Sequence, residues 1–374
     1  MMRKRRSENR WRVTPKGTVI LTAALSAILL WVNLRFVRNA NNLPIDRIAS
    51  KAATRGINLP NLIARRGDIT SPSGGAAACL LVMDDNHLLP EWLAYHYHTL
   101  PLRYLVIAID PRSKTRPDNI LNRWSNNTTF NNNMTIVQWN SDADYMTEDE
   151  FAQAQEHVRR YFGKHLSPAL IQHRARQRLF YYKCMQHCKQ KGRHWTALID
   201  TDEYLALGYD TLRRYGRDNL PGIDQPGSVL SFLNQELPRP DAYRNITTPC
   251  IQIPRIRFGA KESERLQVEM GAPLGLIGFS FQTLRWRWHA SENNYNLNRI
   301  SKTLIDLERV SWDEVQPIDS IHRPIRSLCG HRKLHIRKSE QALVIHHYLG
   351  TYEQYSFRDD ARQGKERGEK VRTM

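Results

Sequence analysis

Cysteine is scarce in this chain and follows no zinc-binding spacing. The sequence has 5 cysteines in 374 residues, namely Cys79, Cys184, Cys188, Cys250 and Cys329. Cys184 and Cys188 form an isolated local pair, which does not match the spacing of zinc fingers or zinc ribbons. Because the number is odd, disulfide pairing in an oxidising compartment would leave one cysteine over.

Internal repeats and nucleic-acid-binding motifs are also absent from the sequence. The formal net charge is nevertheless +18, and a basic chain can bind nucleic acid or another polyanion. Lysine and arginine are concentrated towards the two ends of the chain, whereas the middle carries both signs of charge. A polyanion-binding protein needs its positive charge on the folded body, so we predict no nucleic-acid partner.

One segment near the N-terminus has no charge at all, and a basic cluster precedes it. Residues 18–32 read TVILTAALSAILLWV, and Leu34 and Phe36 extend the apolar stretch. This stretch spans roughly 25 Å as a helix, close to the hydrocarbon thickness of a thin bilayer. A cleaved signal peptide is the first alternative, but an A-x-A-like cleavage site is missing. A buried core helix is the second, but it would not need the basic cluster.

The charge pattern therefore predicts a single-pass membrane protein whose N-terminus is cytosolic. We assign a cytosolic basic tail to residues 1–17, a transmembrane signal anchor to 18–36, a stem to 37–75, a folded domain to 76–365 and a basic tail to 366–374. Four N-x-S/T triplets, which begin at Asn126, Asn127, Asn133 and Asn245, are consistent with a lumenal domain.

Apolar runs of strand length alternate with helical patterns from Ala76 onward. Strands are predicted at 76–83, 103–110, 134–139 and 194–200, and shorter ones within 250–261, 300–307 and 342–350. Helices are predicted at 88–100, around 117–124 and over 147–191, with a break near Ser167-Pro168. Buried strands separated by helices indicate an α/β fold, with a mainly parallel sheet flanked by helices on both faces.

Acidic residues follow three of the predicted strands, at Asp84, Asp110 and Asp200. Ligands of parallel sheets bind beyond the carboxyl ends of the strands. Asp200 and Asp202 are two residues apart, so in an extended chain both carboxylates would point to one side, with Glu203 turned away. Such a pair suits Mg²⁺ or Mn²⁺ shared with a phosphate group, although a capped turn would also explain it. Asp142 and Asp144 have the same spacing, but we place them in a polar loop.

Several short motifs occur in an order typical of one enzyme family. They are Glu91, Trp92, Tyr95 and His96 in the first helix; YLVIAIDPRS at 104–113; Gln177, Tyr181 and Cys184; HWTALIDTDEYL at 194–205; RIRFGAKE at 255–262; ISKTLI and SIHRP at 300–305 and 320–324; and LVIHHYLGTYEQYSFRDDAR at 343–362. This ordered set resembles glycosyltransferase family 92 and its GT-A relatives over about residues 76–365. The chain departs from the family where the first strand ends, because Asp84-Asp85-Asn86 replaces the usual Asn-Glu pair.

The resemblance implies a GT-A, Rossmann-like domain of a type II Golgi membrane enzyme with its catalytic domain in the lumen. Such an enzyme transfers a sugar, best associated with galactose in this family, from a nucleotide-sugar donor to a glycan acceptor with inversion. We expect a UDP-sugar as donor and Mn²⁺ or Mg²⁺ as cofactor. The alternatives are a D-x-D transferase with another donor sugar or opposite stereochemistry, and a membrane-tethered, catalytically inactive glycan-binding protein.

Individual roles follow from this resemblance. The metal ligands would be Asp200, Asp202 and His347, with His322 as a weaker candidate and Glu203 as either a functional acid or a salt-bridge partner. Asp84, Asp110, Arg287 and Lys302 would contact the donor, and Glu262 or Glu264 would be the general base that inverting transfer needs. Trp286 and Trp288 could stack on a sugar or pack in a sheet. Glu91, Trp92 and His96 are expected to pack their helix and tie loops together.

Overall fold

The computed structural model describes most of the predicted folded domain. The described residues are 75–125, 134–162, 166–208, 229–230, 233, 249–259, 281–285, 288–291, 296–317, 320–329, 343–350 and 357. The predicted tail, anchor and glycan-acceptor asparagines lie outside them, as does all but the last residue of the predicted stem. Within the described part of the chain, no helix is long and apolar enough to cross a membrane.

The main element is a six-stranded sheet of order β3-β2-β1-β4-β8-β6. Its strands are β1 (Ala76–Val82), β2 (Leu102–Ile109), β3 (Thr135–Trp139), β4 (Trp195–Leu198), β6 (Cys250–Ile253) and β8 (Lys302–Asp306). The first four are mutually parallel. β8 is antiparallel to β4, and β6 is antiparallel to β8.

Helices cover both faces of this sheet. They are α1 (Leu89–Thr99), α2 (Asp118–Ser125), α3 (Glu148–Phe162), α4 (Pro168–Gln190) and the short α5 (Gln282–Arg285). Alternate residues of β1 enter two separate apolar clusters, one containing Trp92 and Leu93 of α1 and the other Phe180 and Met185 of α4. The predicted α/β class, with a mostly parallel sheet between helical layers, is confirmed.

The predicted break in the long helical region is confirmed, because α3 ends at Phe162 and α4 begins at Pro168. Ser167 is the N-cap of α4, and its hydroxyl accepts a hydrogen bond of 3.3 Å from the Leu170 amide. Proline at the first helical position loses no hydrogen bond and has its φ already set for a helix. The local sequence alone therefore fixes where α4 starts.

A second, three-stranded sheet lies on the α1 side of the main sheet and has the order β5-β9-β7. Its strands are β5 (Glu203–Leu207), β7 (Arg255–Phe258) and β9 (Leu343–Tyr348). β9 is antiparallel to β5 and parallel to β7. β5 follows β4 after only four residues, so one short turn connects the two sheets.

Two disulfide bonds account for four of the five cysteines. Cys79 of β1 is bonded to Cys184 of α4, and Cys250 of β6 is bonded to Cys329. Cys188 is free and buried, and burial raises the pKa of its thiol to about 12. The local pair Cys184 and Cys188 is therefore not a bonded pair, because Cys184 faces the strand rather than its helical neighbour.

We expect alkylation of the unfolded, unreduced protein to add one group, at Cys188, and alkylation after reduction to add five. Replacing Cys250 and Cys329 together by serine should lower the free energy of unfolding by about 2–5 kcal/mol, because the bond closes a loop of 79 residues. Intact mass and urea denaturation measure these two quantities. Cys188→Ser is the control and should retain both bonds; three or more groups added without reduction would contradict the assignment.

Candidate functional site

The order of the main sheet reverses between β1 and β4. The chain runs from β1 outward to β2 and β3, and then returns to place β4 on the other side of β1. In open α/β sheets, ligands bind beyond the carboxyl ends of the strands at such a switch point. Asp84 follows β1 and Asp200 follows β4, so two of the predicted acids lie at this point.

The predicted acidic strand end is a turn rather than an extended chain. β4 ends at Leu198, two residues before Asp200, and the Glu203 amide donates to the Asp200 carbonyl over 3.1 Å. The alternation of side chains that applies to a strand is therefore lost across Asp200 and Asp202. The expectation that these two share one direction, with Glu203 turned away, is wrong: Asp200 and Glu203 instead contact the same cation.

That cation is Lys302, the first residue of β8. Its Nζ lies 2.6 Å from Asp200 Oδ2 and 3.0 Å from Glu203 Oε2, and the side chain is 1% exposed. Burial opposes the charge of an ammonium group, but the nearby carboxylates outweigh burial, so the pKa of Lys302 is raised. Lys302 was predicted to contact the donor, and in the structure it is a buried counter-ion of the acidic turn.

Glu203 is fully buried and paired with a second cation, Arg255. The Arg255 guanidinium donates to Glu203 Oε1 over 3.1 Å, and its Nε donates to the Ile300 carbonyl over 2.8 Å. The Asp200 amide donates to Glu203 Oε2 over 3.0 Å, which closes the turn. Of the two roles considered for Glu203, its contacts match the salt-bridge partner, since a carboxylate held by two cations has little capacity left for a metal.

Asp202 lies beside His347 of β9. His347 Nε2 is 3.2 Å from Asp202 Oδ2, and the Tyr348 amide donates to the Asp202 carbonyl over 2.8 Å. His346 occupies the opposite face of β9, where its ring is 5.0 Å from that of Phe258. Strand alternation thus brings His347 to the acidic turn and keeps His346 away from it.

Two aromatic side chains hold the turn in place. The Trp92 indole N–H lies 3.1 Å from both the Asp200 and the Glu203 carbonyl oxygens. The Tyr181 hydroxyl donates to Asp200 Oδ1 over 3.1 Å. Burial and the charge of Asp200 raise the pKa of Tyr181, so this hydroxyl stays protonated and can donate.

The other two motif residues of α1 also serve packing, as expected. Glu91 accepts hydrogen bonds from the backbone amides of Gln282 and Thr283 and so caps α5. His96 Nδ1 lies 2.9 Å from the Trp92 carbonyl, and its Nε2 accepts from the Leu205 amide over 3.2 Å. Burial lowers the pKa of His96 to about 3, so the ring is neutral.

Asp84 has the left-handed backbone conformation, with φ of 59°, which is uncommon for a residue other than glycine. Its Oδ1 accepts from the Thr115 amide over 2.8 Å and from the Thr115 hydroxyl over 3.0 Å. The residue is 5% exposed, and among the described residues its Oδ2 has no hydrogen-bond partner. A buried carboxylate oxygen without a donor is costly, so Asp84 is suited to a ligand that supplies one.

Asp110 is 2% exposed and already bound by arginine. Arg112 donates to Asp110 Oδ1 over 3.0 Å and to Oδ2 over 2.8 Å, and Arg176 lies 3.7 Å from Oδ2. Burial raises the pKa of a carboxyl group, but here the bonds from Arg112 and the charge of Arg176 outweigh it and lower the pKa of Asp110. Asp110, which was predicted to contact the nucleotide-sugar donor, is thus engaged in a buried ion pair.

The second D-x-D spacing, Asp142 and Asp144, forms a 3-10 helix that uses both carboxylates locally. Asp142 accepts from Arg176, with 2.8 Å between Oδ2 and the guanidinium. Asp144 Oδ2 accepts from the amides of Asn140 and Ser141, in a capping box. We expected a polar loop here; the residues instead form a short helical turn whose carboxylates bind neighbouring groups of the chain.

The remaining predicted residues fall in three groups. Glu262, Glu264, Arg287 and Trp286 lie outside the described residues. His322 is partly buried, and its Nδ1 lies 2.7 Å from the Ser301 carbonyl, next to Lys302. Trp288 is 57% exposed, so it is not packed in a sheet interior.

Sequence reasoning missed Arg255 as a member of the site. It stands in an apolar strand-like run, CIQIPRIRF, where an arginine would ordinarily be a solvated residue. Its position as the first residue of a short strand carries no signal of a buried partner. Only the register of β7 against β9 and of β9 against β5 brings it to Glu203.

Three groups of the site could share a metal ion: Asp202, Glu203 and His347 each offer a ligand atom within 4.8 Å of the others. Glu203 is held by Lys302 and Arg255, which leaves the carboxylate of Asp202 and the imidazole of His347. One carboxylate with open positions for phosphate oxygens suits Mg²⁺ or Mn²⁺, and the nitrogen ligand favours Mn²⁺ of the two. The donor set therefore fits such an ion, with Asp202 and His347 as its protein ligands.

The chain matches no protein-family model and no curated protein.

Replacing Lys302 by methionine should destabilise the protein by about 3 kcal/mol at pH 7, because it removes one of the two cations that bind the fully buried carboxylate of Glu203. The measurement is urea unfolding of both proteins. Lys183→Met is the control, since Lys183 forms a partly exposed ion pair with Glu150 and its loss should cost about 1 kcal/mol or less. Equal effects of the two substitutions would contradict the buried cluster.

The Asp110 ion pair should make stability depend on pH in acid. A carboxylate with a lowered folded-state pKa stabilises the protein above the unfolded pKa of 3.8, and this contribution is lost as the pH falls below that value. Asp110→Asn should therefore be less stable than wild type at pH 7, and the difference should shrink at pH 3. Asp118→Asn, at an exposed pair with Arg116, should change little at either pH; a constant Asp110 difference would refute the account.

Proposed function

We propose that this protein is a metal-dependent glycosyltransferase of the GT-A type. It takes a sugar, galactose being the one best associated with the resembling family, from a nucleotide-sugar donor and transfers it to a glycan acceptor with inversion. The observation that carries the proposal is the pairing of Asp202 with His347, at 3.2 Å, on a turn at the sheet's switch point. Ligands of such sheets bind at this place.

Asp202 and His347 are the proposed holders of Mn²⁺. When bound, the ion would supply positive charge to the diphosphate leaving group of the donor. The charges of the turn support this assignment: Asp200, Asp202 and Glu203 face two permanent cations, Lys302 and Arg255. Three carboxylates and two cations give the turn a negative charge, which would stabilise a further cation beside Asp202 and His347.

Asp200 then acts as a positioning residue. Its carboxylate contacts Lys302 and Tyr181, and the Trp92 indole N–H lies 3.1 Å from the carbonyl oxygens of Asp200 and Glu203, at the two ends of the turn. A turn restrained in this way holds Asp202 at one position without further ordering when ligands bind, which conserves binding free energy. Asp200 thereby contributes to the site without being one of its principal ligands.

Asp84 is the proposed contact of the donor's nucleoside. Its buried Oδ2 can accept a hydrogen bond from a ribose hydroxyl or from a base N–H, and either group would supply the hydrogen-bond donor that this oxygen lacks. β1, which Asp84 follows, is the neighbour of β4. Nucleoside and diphosphate would therefore bind along one edge of the sheet, which is the order in which a nucleotide sugar presents them.

The acceptor hydroxyl needs a general base in an inverting reaction. Glu262 and Glu264 are the proposed candidates, because they follow β7, whose last residues contact the β9 strand that carries His347. A carboxylate there would remove the hydroxyl proton as the acceptor oxygen attacks the anomeric carbon and the nucleoside diphosphate departs.

The proposed topology is that of a type II Golgi membrane protein with a lumenal domain. Disulfide bonds persist in oxidising compartments and are rare in the cytosol. The Cys79–Cys184 and Cys250–Cys329 bonds, each across separate elements of the fold, support a domain that matures in such a compartment. The uncharged segment at 18–32 and its preceding basic cluster support the anchor.

The full-length protein, solubilised in detergent, should release nucleoside diphosphate from one nucleotide sugar of a panel in the presence of Mn²⁺. Asp202→Asn keeps the side-chain shape but removes the charge, and we expect it to reduce this rate by about 100-fold or more. Calorimetric titration with Mn²⁺ alone provides a second readout, in which the same variant should bind more weakly.

Asp144→Asn is the matched control, because Asp144 has the same motif spacing but serves as a cap. Its rate and its metal affinity should equal those of wild type. If the wild type turns over no donor and binds neither donor nor Mn²⁺, the enzyme proposal fails. Binding of glycans in that case would favour the inactive, membrane-tethered glycan-binding protein.

A further inference from the structure

An exposed apolar patch lies at the end of the small sheet that carries His347. Trp288 is 57% exposed and Leu349 is 36% exposed, although both are large hydrophobic residues. Phe258 and His289 form an antiparallel bridge that attaches the Trp288 segment to the edge of β7. Exposed large apolar side chains can mark a binding surface.

Strand alternation assigns these side chains to the two faces of the small sheet. The rings of His289, His346 and Tyr348 each lie 4.8–5.3 Å from the ring of Phe258, so these four side chains share one face. Neighbours in sequence point to the opposite face. Trp288 and Leu349 therefore share a face with Arg257 and with His347, whose imidazole lies 3.2 Å from Asp202.

The patch is also continuous with the acidic turn through backbone hydrogen bonds. The Tyr348 amide donates to the Asp202 carbonyl over 2.8 Å, the Leu349 amide to the Phe258 carbonyl over 3.2 Å, and the Gly259 amide to the Trp288 carbonyl over 3.1 Å. Three strand spacings of about 4.8 Å place Trp288 roughly 14 Å from Asp202. That distance exceeds the reach of one sugar ring bound at the turn, and a short oligosaccharide would span it.

We propose that Trp288, with Leu349 on the same face of the small sheet, is the platform that binds the acceptor oligosaccharide away from the reacting hydroxyl. The apolar C–H face of a pyranose ring stacks on an indole ring, while Arg257, in register with His347, lies between the platform and the turn and can donate to sugar hydroxyls. This inference rests on the proposed function and specifies its acceptor. The acceptor is a neutral oligosaccharide of at least two sugar residues rather than a monosaccharide.

The test compares Trp288→Ala with Trp312→Ala in the full-length protein. Trp312 is 54% exposed and lies 5.3 Å from Lys189 at the far end of α4, so it is a matched exposed tryptophan outside the site. For transfer to oligosaccharides, Trp288→Ala should raise KM about tenfold with a smaller change in kcat. With monosaccharide acceptors, the KM of Trp288→Ala should equal that of wild type. Trp288→Phe should restore part of the affinity for oligosaccharides, and Trp312→Ala should have the KM of wild type.

If the wild type transfers sugar and Trp288→Ala has the same KM for oligosaccharides, the platform proposal is overturned and the transferase proposal stands. If the wild type turns over no donor, binding of chito-, galacto- and manno-oligosaccharides is measured directly by titration calorimetry, which does not depend on the substituted tryptophan for its signal. Loss of that binding in Trp288→Ala, but not in Trp312→Ala, would support the platform even though the transferase proposal had failed. Equal binding by both variants, or none by the wild type, would overturn it.

Discussion

The buried ammonium group of Lys302 is the interaction on which the arrangement of the site depends. It begins β8 of the main sheet and contacts Asp200, which follows β4, and Glu203, which begins β5 of the small sheet. Arg255, the first residue of β7, completes the set. Removing these charges from water is costly unless each has a partner, so the contacts among the four residues stabilise the junction of the two sheets.

This charge cluster also gives the three acids of the turn different partners. Lys302 and Arg255 bind Asp200 and Glu203. Asp202 lies beside His347 of the small sheet. By strand alternation, the exposed Trp288 shares a face of that sheet with His347.

Much of the fold was predictable because its signals are local. Apolar runs predicted the strands of the main sheet and β9 to within a few residues, and Ser167-Pro168 predicted the start of α4. β5 was not predicted, and β6 and β7 lie within one predicted stretch. The resemblance assigned His347 to the metal site, and the structure places it 3.2 Å from Asp202, while strand alternation points its neighbour His346 to the other face. The direction of Glu203 was predicted wrongly, because the rule for strands was applied to residues that form a turn.

The sequence by itself determined an α/β fold, with acidic residues directly after two strands that prove to be neighbours at the switch point. Periodicity, capping and strand length act over a few residues, so a single chain displays them fully. Tertiary structure alone decided which partner each acid has: Glu203 meets Arg255 across 52 positions, and Asp202 meets His347 across 145. It likewise selected Cys79 over Cys188 as the partner of Cys184. Such choices depend on the register of distant strands and on the cost of burying an unpaired charge, and no local pattern records either one.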